Sequence, residues 1–209
     1  KIGDDSAIAI RKITRNRCEK VIRKAFESAK DRGFKKVIAI TKRNILKETD
    51  GIFMETVTKI QSRYSGIEVE EYFIDNVCQQ LVKNPERFNQ CMLVSTNLFM
   101  DIVSETASGH VGSIGNVYSG NLGDNYAMFE PAHGSTPKYK GMNKVNPVAT
   151  ILSGAWMLEY LGEKDIAKAI FTATEQVINE GKYITYDLGG NATTSQVAEQ
   201  IAVRAAKIL

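Results

Sequence analysis

Asp101 and Glu105 stand four residues apart in the run Asn97-Leu98-Phe99-Met100-Asp101-Ile102-Val103-Ser104-Glu105. On a helix that spacing sends both carboxylates from one face, where they repel each other mildly and invite a cation. Hard oxygen donors of this kind suit Mg²⁺ or Mn²⁺. On spacing alone, a solvated acidic face is the commoner explanation. Asp75 closes the alternating stretch 67–74, and strand ends often line a crevice in α/β proteins. Lys42 directly follows the apolar stretch 36–41, with Asn44 two residues on. A lysine placed there can point into a site, and partial desolvation would suit it to accept a proton. Taken singly it is one surface lysine among many.

A second group of chemistry-bearing residues lies in Phe129–Gly141, where His133, Gly134, Ser135, Thr136, Pro137, Lys138 and Tyr139 follow one another. Glycine lets the backbone approach a ligand, and Ser135 and Thr136 offer donors for phosphate oxygens. Lys138 adds a positive charge and Tyr139 a phenol, a pair suited to a phosphate monoester. The glycines at 109, 112 and 115 are three apart and do not form the G-x-G-x-x-G fingerprint; no Walker motif occurs either. Neither a dinucleotide fold nor an NTPase follows from pattern alone.

The elements that must position these residues read as alternating helices and strands. Residues 16–32 carry apolar positions at helical period and stop at Gly33. Strands are predicted at 36–41, 67–74 and 91–95, and helices at 51–64, 76–83 and 98–107. With five glycines in fifteen residues, 109–123 reads as loop and turn, and 129–141 as a further loop. Asn146 and Pro147 read as an N-cap and first-turn pair opening a helix to Leu161. A helix at 163–179, a strand at 183–186 and a terminal helix from Thr193, with Gln196 placed for a capping box, complete the pattern. The fold class expected is α/β layers, with a boundary near 108–115.

Composition sets outer bounds. The 209 residues are 43% hydrophobic and 24% charged, ordinary for a globular chain and wrong for a disordered one. The longest apolar stretch, 149–161, is too short to span a bilayer and holds Glu159. Cys18, Cys78 and Cys91 form no C-x-x-C, so a disulfide scaffold or structural zinc site is not expected, and a reducing compartment fits. With only His110 and His133, mechanisms needing a histidine cluster are excluded. Residues 1–47 hold fifteen Lys/Arg against five Asp/Glu. Interleaved with Ile13, Val21, Ile22, Ala25, Phe26 and Ala29, these charges read as a solvated helix face rather than a nucleic-acid surface. A polycarboxylate substrate would also be drawn to them.

In order along the chain stand Lys42-x-Asn44-Ile45-Leu46-Lys47, Ile74-Asp75-Asn76, Asn97-Leu98-Phe99-x-Asp101, Gly112-Ser113-Ile114-Gly115, Ser119-Gly120-Asn121-Leu122-Gly123, Phe129-Glu130-Pro131-x-His133-Gly134-Ser135, Asn146-Pro147 and Tyr186-Asp187-Leu188-Gly189-Gly190. Jointly this set resembles the β-decarboxylating dehydrogenases, which act on isocitrate, homoisocitrate and 3-isopropylmalate, with isocitrate dehydrogenase the nearest in wording.

The resemblance implies an isopropylmalate-dehydrogenase-like two-domain α/β fold, here incomplete at the N-terminus. Residues 1–108 would be the small, central dimerisation and substrate domain, and 109–209 the C-terminal part of the large cofactor-binding domain. It implies metal-dependent oxidative decarboxylation of a 2-hydroxy di- or tricarboxylate, with hydride transfer to NAD or NADP. Asp101 and Glu105 match metal ligands of one subunit, and Asp75 the ligand given by its partner, so a homodimer with shared sites is expected. Lys42 matches the lysine that helps deprotonate the hydroxyl, and Asn44 a residue that contacts substrate or nicotinamide. His133, Gly134, Ser135, Thr136, Pro137, Lys138, Tyr139, Val145, Asn146, Tyr186 and Asp187 match the cofactor site. Lys138-Tyr139 and Tyr186 favour NADP over NAD, whereas Gly190 stands where an arginine is expected.

Other departures are Glu105 in place of aspartate, Met100 in place of glycine, and Thr41 and Arg43 flanking the lysine. The resemblance also leaves open a homoisocitrate or isopropylmalate enzyme using NAD, and a non-catalytic regulatory subunit. No nucleic-acid or membrane partner is expected. The compartment expected is the cytoplasm, or the mitochondrial matrix in a eukaryote.

Overall fold

A computed structural model describes residues 1–209, which divide into two compact units, Lys1–Thr106 and Ala107–Leu209. In the first, β1 (Lys36–Thr41) is the centre of a parallel three-stranded sheet. β2 (Glu68–Phe73) lies on one side and β3 (Cys91–Ser95) on the other, with Ile38 opposite Glu70 and Leu93. β1 is buried from Val37 to Thr41, as a central strand covered on both faces must be.

Helix α1 (Arg15–Asp31) buries Cys18, Ile22, Ala25, Phe26 and Ala29 along one stripe and ends where Gly33 turns to φ +72°. α2 (Lys47–Gln61) adds Phe53, Val57 and Ile60, and together with Val37, Ala39 and Val94 these side chains form the core of the unit. α3 (Ile74–Lys83) leaves β2 without a loop and stops ahead of Pro85; α4 (Asn97–Ser108) follows β3.

The second unit departs from the alternating pattern. β4 (Tyr118–Leu122) and β5 (Ala127–Pro131) form an antiparallel hairpin. The hairpin packs on α5 (Val148–Tyr160) through the Trp156 indole, which meets Tyr118 and Phe129 edge-on at 5.8 and 5.3 Å. α6 (Lys164–Glu180) and α7 (Thr194–Ile208) pack with α5 around Val148, Ala173, Val177, Val197 and Ile201. The capping box is present at Thr193 and Gln196.

Four expectations are corrected. Residues 118–122 are strand β4 despite their glycine, because Gly120 gives room for the Trp156 ring. The stretch from Phe129 opens as strand β5 before becoming loop. Residues 183–186 form no strand: the Ile184 and Thr185 carbonyls accept from Ala192 and Gly190, so a local reversal satisfies backbone groups that a neighbouring strand would otherwise meet. α5 begins at Val148, with Asn146 Oδ1 accepting from its N–H at 3.0 Å.

Gly120 generates a stability prediction. A Cβ at this position would sit 2.7 Å from Trp156, whereas one at Gly154, inside α5, would meet nothing within 4 Å. Gly120→Ala is expected to destabilise by about 1–3 kcal/mol and Gly154→Ala to stabilise by about 0.5–1 kcal/mol, read as opposite shifts in thermal unfolding midpoint.

Candidate functional site

At the carboxyl end of β1 the chain turns at Lys42, whose carbonyl accepts from Ile45 at 2.9 Å and Leu46 at 2.8 Å. Its N–H donates to Asp50 Oδ2 at 2.6 Å, and Asp50 is 1% exposed. Arg11 meets Asp50 Oδ1 at 3.3 Å, donates to Thr96 Oγ1 and lies 4.7 Å over the Phe99 ring. One buried carboxylate thus holds the turn carrying Lys42, and its arginine reaches β3's exit and the first turn of α4. Asp50 and Arg11 were not singled out by the sequence reading; the local signal was an aspartate in the first turn of α2, which ordinary helix electrostatics already explains.

Lys42 Nζ lies 2.7 Å from Asp75 Oδ1. Asp75 is not the last strand residue, as expected, but sits in the first turn of α3. Its hydrogen bond from Lys42 outweighs desolvation and, with backbone donors, holds the carboxyl below the usual carboxylate range. The unusual neighbours of Lys42 share one partner: Thr41 Oγ1 donates to Glu71 Oε1 at 2.7 Å and Arg43 Nε to the same oxygen at 3.0 Å. Asn44 is exposed in the turn.

On α4, Asp101 and Glu105 both lie on the exposed face, opposite buried Phe99 and Val103, as the spacing requires. No three carboxylates, histidines or cysteines of one chain gather closely enough to hold a metal ion.

In the second unit, Tyr139 and Tyr186 face each other with ring centroids 5.7 Å apart. Lys138 Nζ lies 4.9 Å from the Tyr139 centroid, and Lys144 Nζ 4.5 Å from that of Tyr186. The hydrogen bond from Tyr186, then that from Lys138, lowers the Tyr139 hydroxyl below the usual phenol range, while the same contact raises Tyr186. Thr136 adopts φ +41°, a left-handed backbone costing a non-glycine residue about 1–2 kcal/mol. His133 Nδ1 lies 2.8 Å from the Gly134 carbonyl, and its buried Nε2 has no protein partner. Gly134, Ser135 and Pro137 are exposed in the same loop.

Asn146, 4% exposed, is saturated: Nδ2 donates to Asn116 at 2.9 Å and Asp187 at 3.0 Å, and Oδ1 caps α5. Burial raises the Asp187 carboxyl, but bonds from Ser113, Thr185 and Asn146 prevail and leave it low. A Cβ at Gly115 would come within 3.0 Å of both Asn146 and Asp187, so glycine lets this network close. The side chains of Asn146 and Asp187 therefore act inward, leaving their backbone and that of Val145, whose carbonyl accepts from Thr194 Oγ1, as the groups nearest the loop.

The Lys42–Asp75 pair predicts a pH response. A depressed carboxyl contributes stability above its unfolded value and loses it as pH falls through the folded one. In a carboxyl-carbon NMR titration, Asp75 is expected to titrate below ordinary aspartate and to move back up in Lys42→Met.

The family model described as isocitrate/isopropylmalate dehydrogenase matches residues 1–201. The chain is 42% identical over 201 residues to homoisocitrate dehydrogenase of Methanocaldococcus jannaschii, covering 96% of this chain and 57% of that protein. It is 41% identical over 208 residues to 3-isopropylmalate/3-methylmalate dehydrogenase of the same organism, covering 98% and 62%. The crystal structure of isocitrate dehydrogenase from Methylococcus capsulatus superposes with TM-score 0.89 at 40% identity, over 96% of this chain and 59% of that one. The chain thus spans less than two thirds of the length of these relatives. With the ordered motifs, the α/β architecture and these matches together, the chain belongs to the isocitrate/isopropylmalate dehydrogenase family.

Proposed function

We propose that the protein carrying this chain converts isocitrate to 2-oxoglutarate and CO₂ with hydride transfer to NADP, as a homodimer with shared sites. The observation that carries this reading is the Lys42–Asp75 pair at 2.7 Å on the carboxyl end of the central parallel strand. Residues 1–108 would serve dimerisation and substrate binding, and 109–209 cofactor binding. The setting would be aqueous and reducing, cytoplasm or mitochondrial matrix: the three cysteines are free, and no helix is long and apolar enough to cross a membrane.

The residues fit the groups such a reaction needs. Asp101 and Glu105 present hard oxygen donors one helical turn apart, and Asp75 of a second copy would complete a Mg²⁺ or Mn²⁺ site. The phenols and lysines at 138, 139 and 186, with the unpartnered His133 Nε2, fit an anionic dinucleotide. When bound, the metal would polarise the substrate oxygens and the dinucleotide would accept the hydride. Asp75 lies 2.7 Å from the Lys42 ammonium. Lys42 would exchange a proton with the substrate hydroxyl while Asp75 serves in a ligand role. Asn44, exposed beside it, would contact substrate.

A second reading, a sister enzyme acting on homoisocitrate or isopropylmalate with NAD, is favoured by the archaeal relatives' names. Steady-state rates of the complete protein on the three acids, each with NADP and NAD, separate the two. Isocitrate with NADP is expected to give the highest kcat/KM, chelation to abolish turnover, and Lys42→Met to lower kcat by about 10²-fold or more. A higher kcat/KM for another acid selects the sister enzyme; metal-independent inactivity on all three points to a regulatory subunit.

A further inference from the structure

We propose that Arg11 is a positioning residue for the proposed reaction: one guanidinium fixes both the backbone that carries Lys42 and the start of the helix that presents Asp101 and Glu105. The inference rests on the reading above and adds a residue outside its reacting groups.

The two ends of the Arg11 fork serve different elements. Nη1 lies 3.3 Å from Asp50 Oδ1, while Asp50 Oδ2 accepts the Lys42 N–H at 2.6 Å. Nη2 donates to Thr96 Oγ1. Thr96 in turn opens α4, because its carbonyl accepts from Met100 N at 3.0 Å. The guanidinium carbon lies 4.7 Å over the ring of Phe99, a buried residue of the first turn of α4, two positions before Asp101. A neutral tie runs alongside: buried Ser95 Oγ donates to the Ile40 carbonyl at 2.6 Å, so the exits of β1 and β3 are joined within the interior.

The geometry calls for arginine in particular. A planar guanidinium offers donors along two edges and a face that stacks on an aromatic ring; an ammonium offers neither. Asp50 is almost wholly buried, so its charge must be matched where it stands, whereas the Thr96 hydroxyl makes no such demand. Nη1 is itself shut off from solvent and is held there by the ion pair alone. Metal ligands and a proton-exchanging lysine must stay within about 0.5 Å of their productive places, and a misplacement of about 1 Å can lower a rate about 10²-fold. Loss of Arg11 releases both elements together.

Calorimetric titration of the complete protein with Mn²⁺ alone, alongside steady-state kinetics, tests this. Arg11→Met is expected to weaken Mn²⁺ about tenfold and to lower kcat about tenfold, with KM for the acid within about threefold. Arg11→Lys keeps a charge beside Asp50 but cannot also span to Thr96. It is expected to recover most of kcat and to leave Mn²⁺ binding weak. Thr96→Val keeps the Arg11–Asp50 pair, and is expected to weaken Mn²⁺ about threefold even where Arg11→Met fails to fold. A purely structural role would lower the thermal unfolding midpoint and leave Mn²⁺ affinity and kcat of the folded variants at wild-type values; that result overturns the role of Arg11 while the proposed function stands. A kcat that Arg11→Lys does not recover overturns it too. If the wild-type protein neither binds Mn²⁺ nor turns over any of the three acids, both fall.

Discussion

The first unit depends on one carboxylate removed from water. Asp50 is almost wholly buried, and its two oxygens are divided between the Lys42 amide and the Arg11 guanidinium. Desolvating such a group is unfavourable by several kcal/mol, and only well-placed partners offset it. The partners here belong to the exit of β1 and to the segment before α1, and Arg11 carries the linkage on to Thr96 and Phe99. The position of Lys42 is thereby a property of the unit's interior rather than of its surface loop. Side-chain freedom is left for the ammonium end, which would suit the proton exchange proposed for it.

The second unit repeats this logic around an amide and a carboxylate. Asn146 uses both amide hydrogens and its carbonyl, and Asp187 sits low among three donors despite being partly buried. Glycine at 115 leaves room for the Asn146 and Asp187 side chains, and glycine at 190 lets the chain pass against the Ile184 carbonyl, where no Cβ fits. Family resemblance alone would assign Asn146 and Asp187 to the cofactor; the geometry shows that their side chains first build the loop on which a cofactor would rest.

What was legible in the sequence follows from how local each signal is. The stripe Cys18–Ala29, the apolar run 36–41 and the Thr193–Gln196 cap were readable because period and capping chemistry lie within a few residues. Asp101 and Glu105 share a face for the same reason. Residues 183–186 looked like a strand because β-branched and aromatic side chains suit one, but their carbonyls are met from 190 and 192, a loop closure that propensity does not encode. The hairpin at 118–131 was hidden by its glycines, of which Gly120 makes room for Trp156 and Gly123 for the Tyr126 carbonyl. Asp50 was missed because its charge partner, Arg11, lies 39 positions away.

The seam between residues 143–145 and the start of α7 carries one more meaning. Four hydrogen bonds fix that segment as the helix folds, so its conformational entropy is surrendered during folding and not when a ligand arrives. Under the proposed function a cofactor would meet a preorganised surface there, and a change at Thr194 or Ser195 would surface as weakened affinity. The terminal helix would then act on binding at a distance, through the order it imposes on residues 143–145.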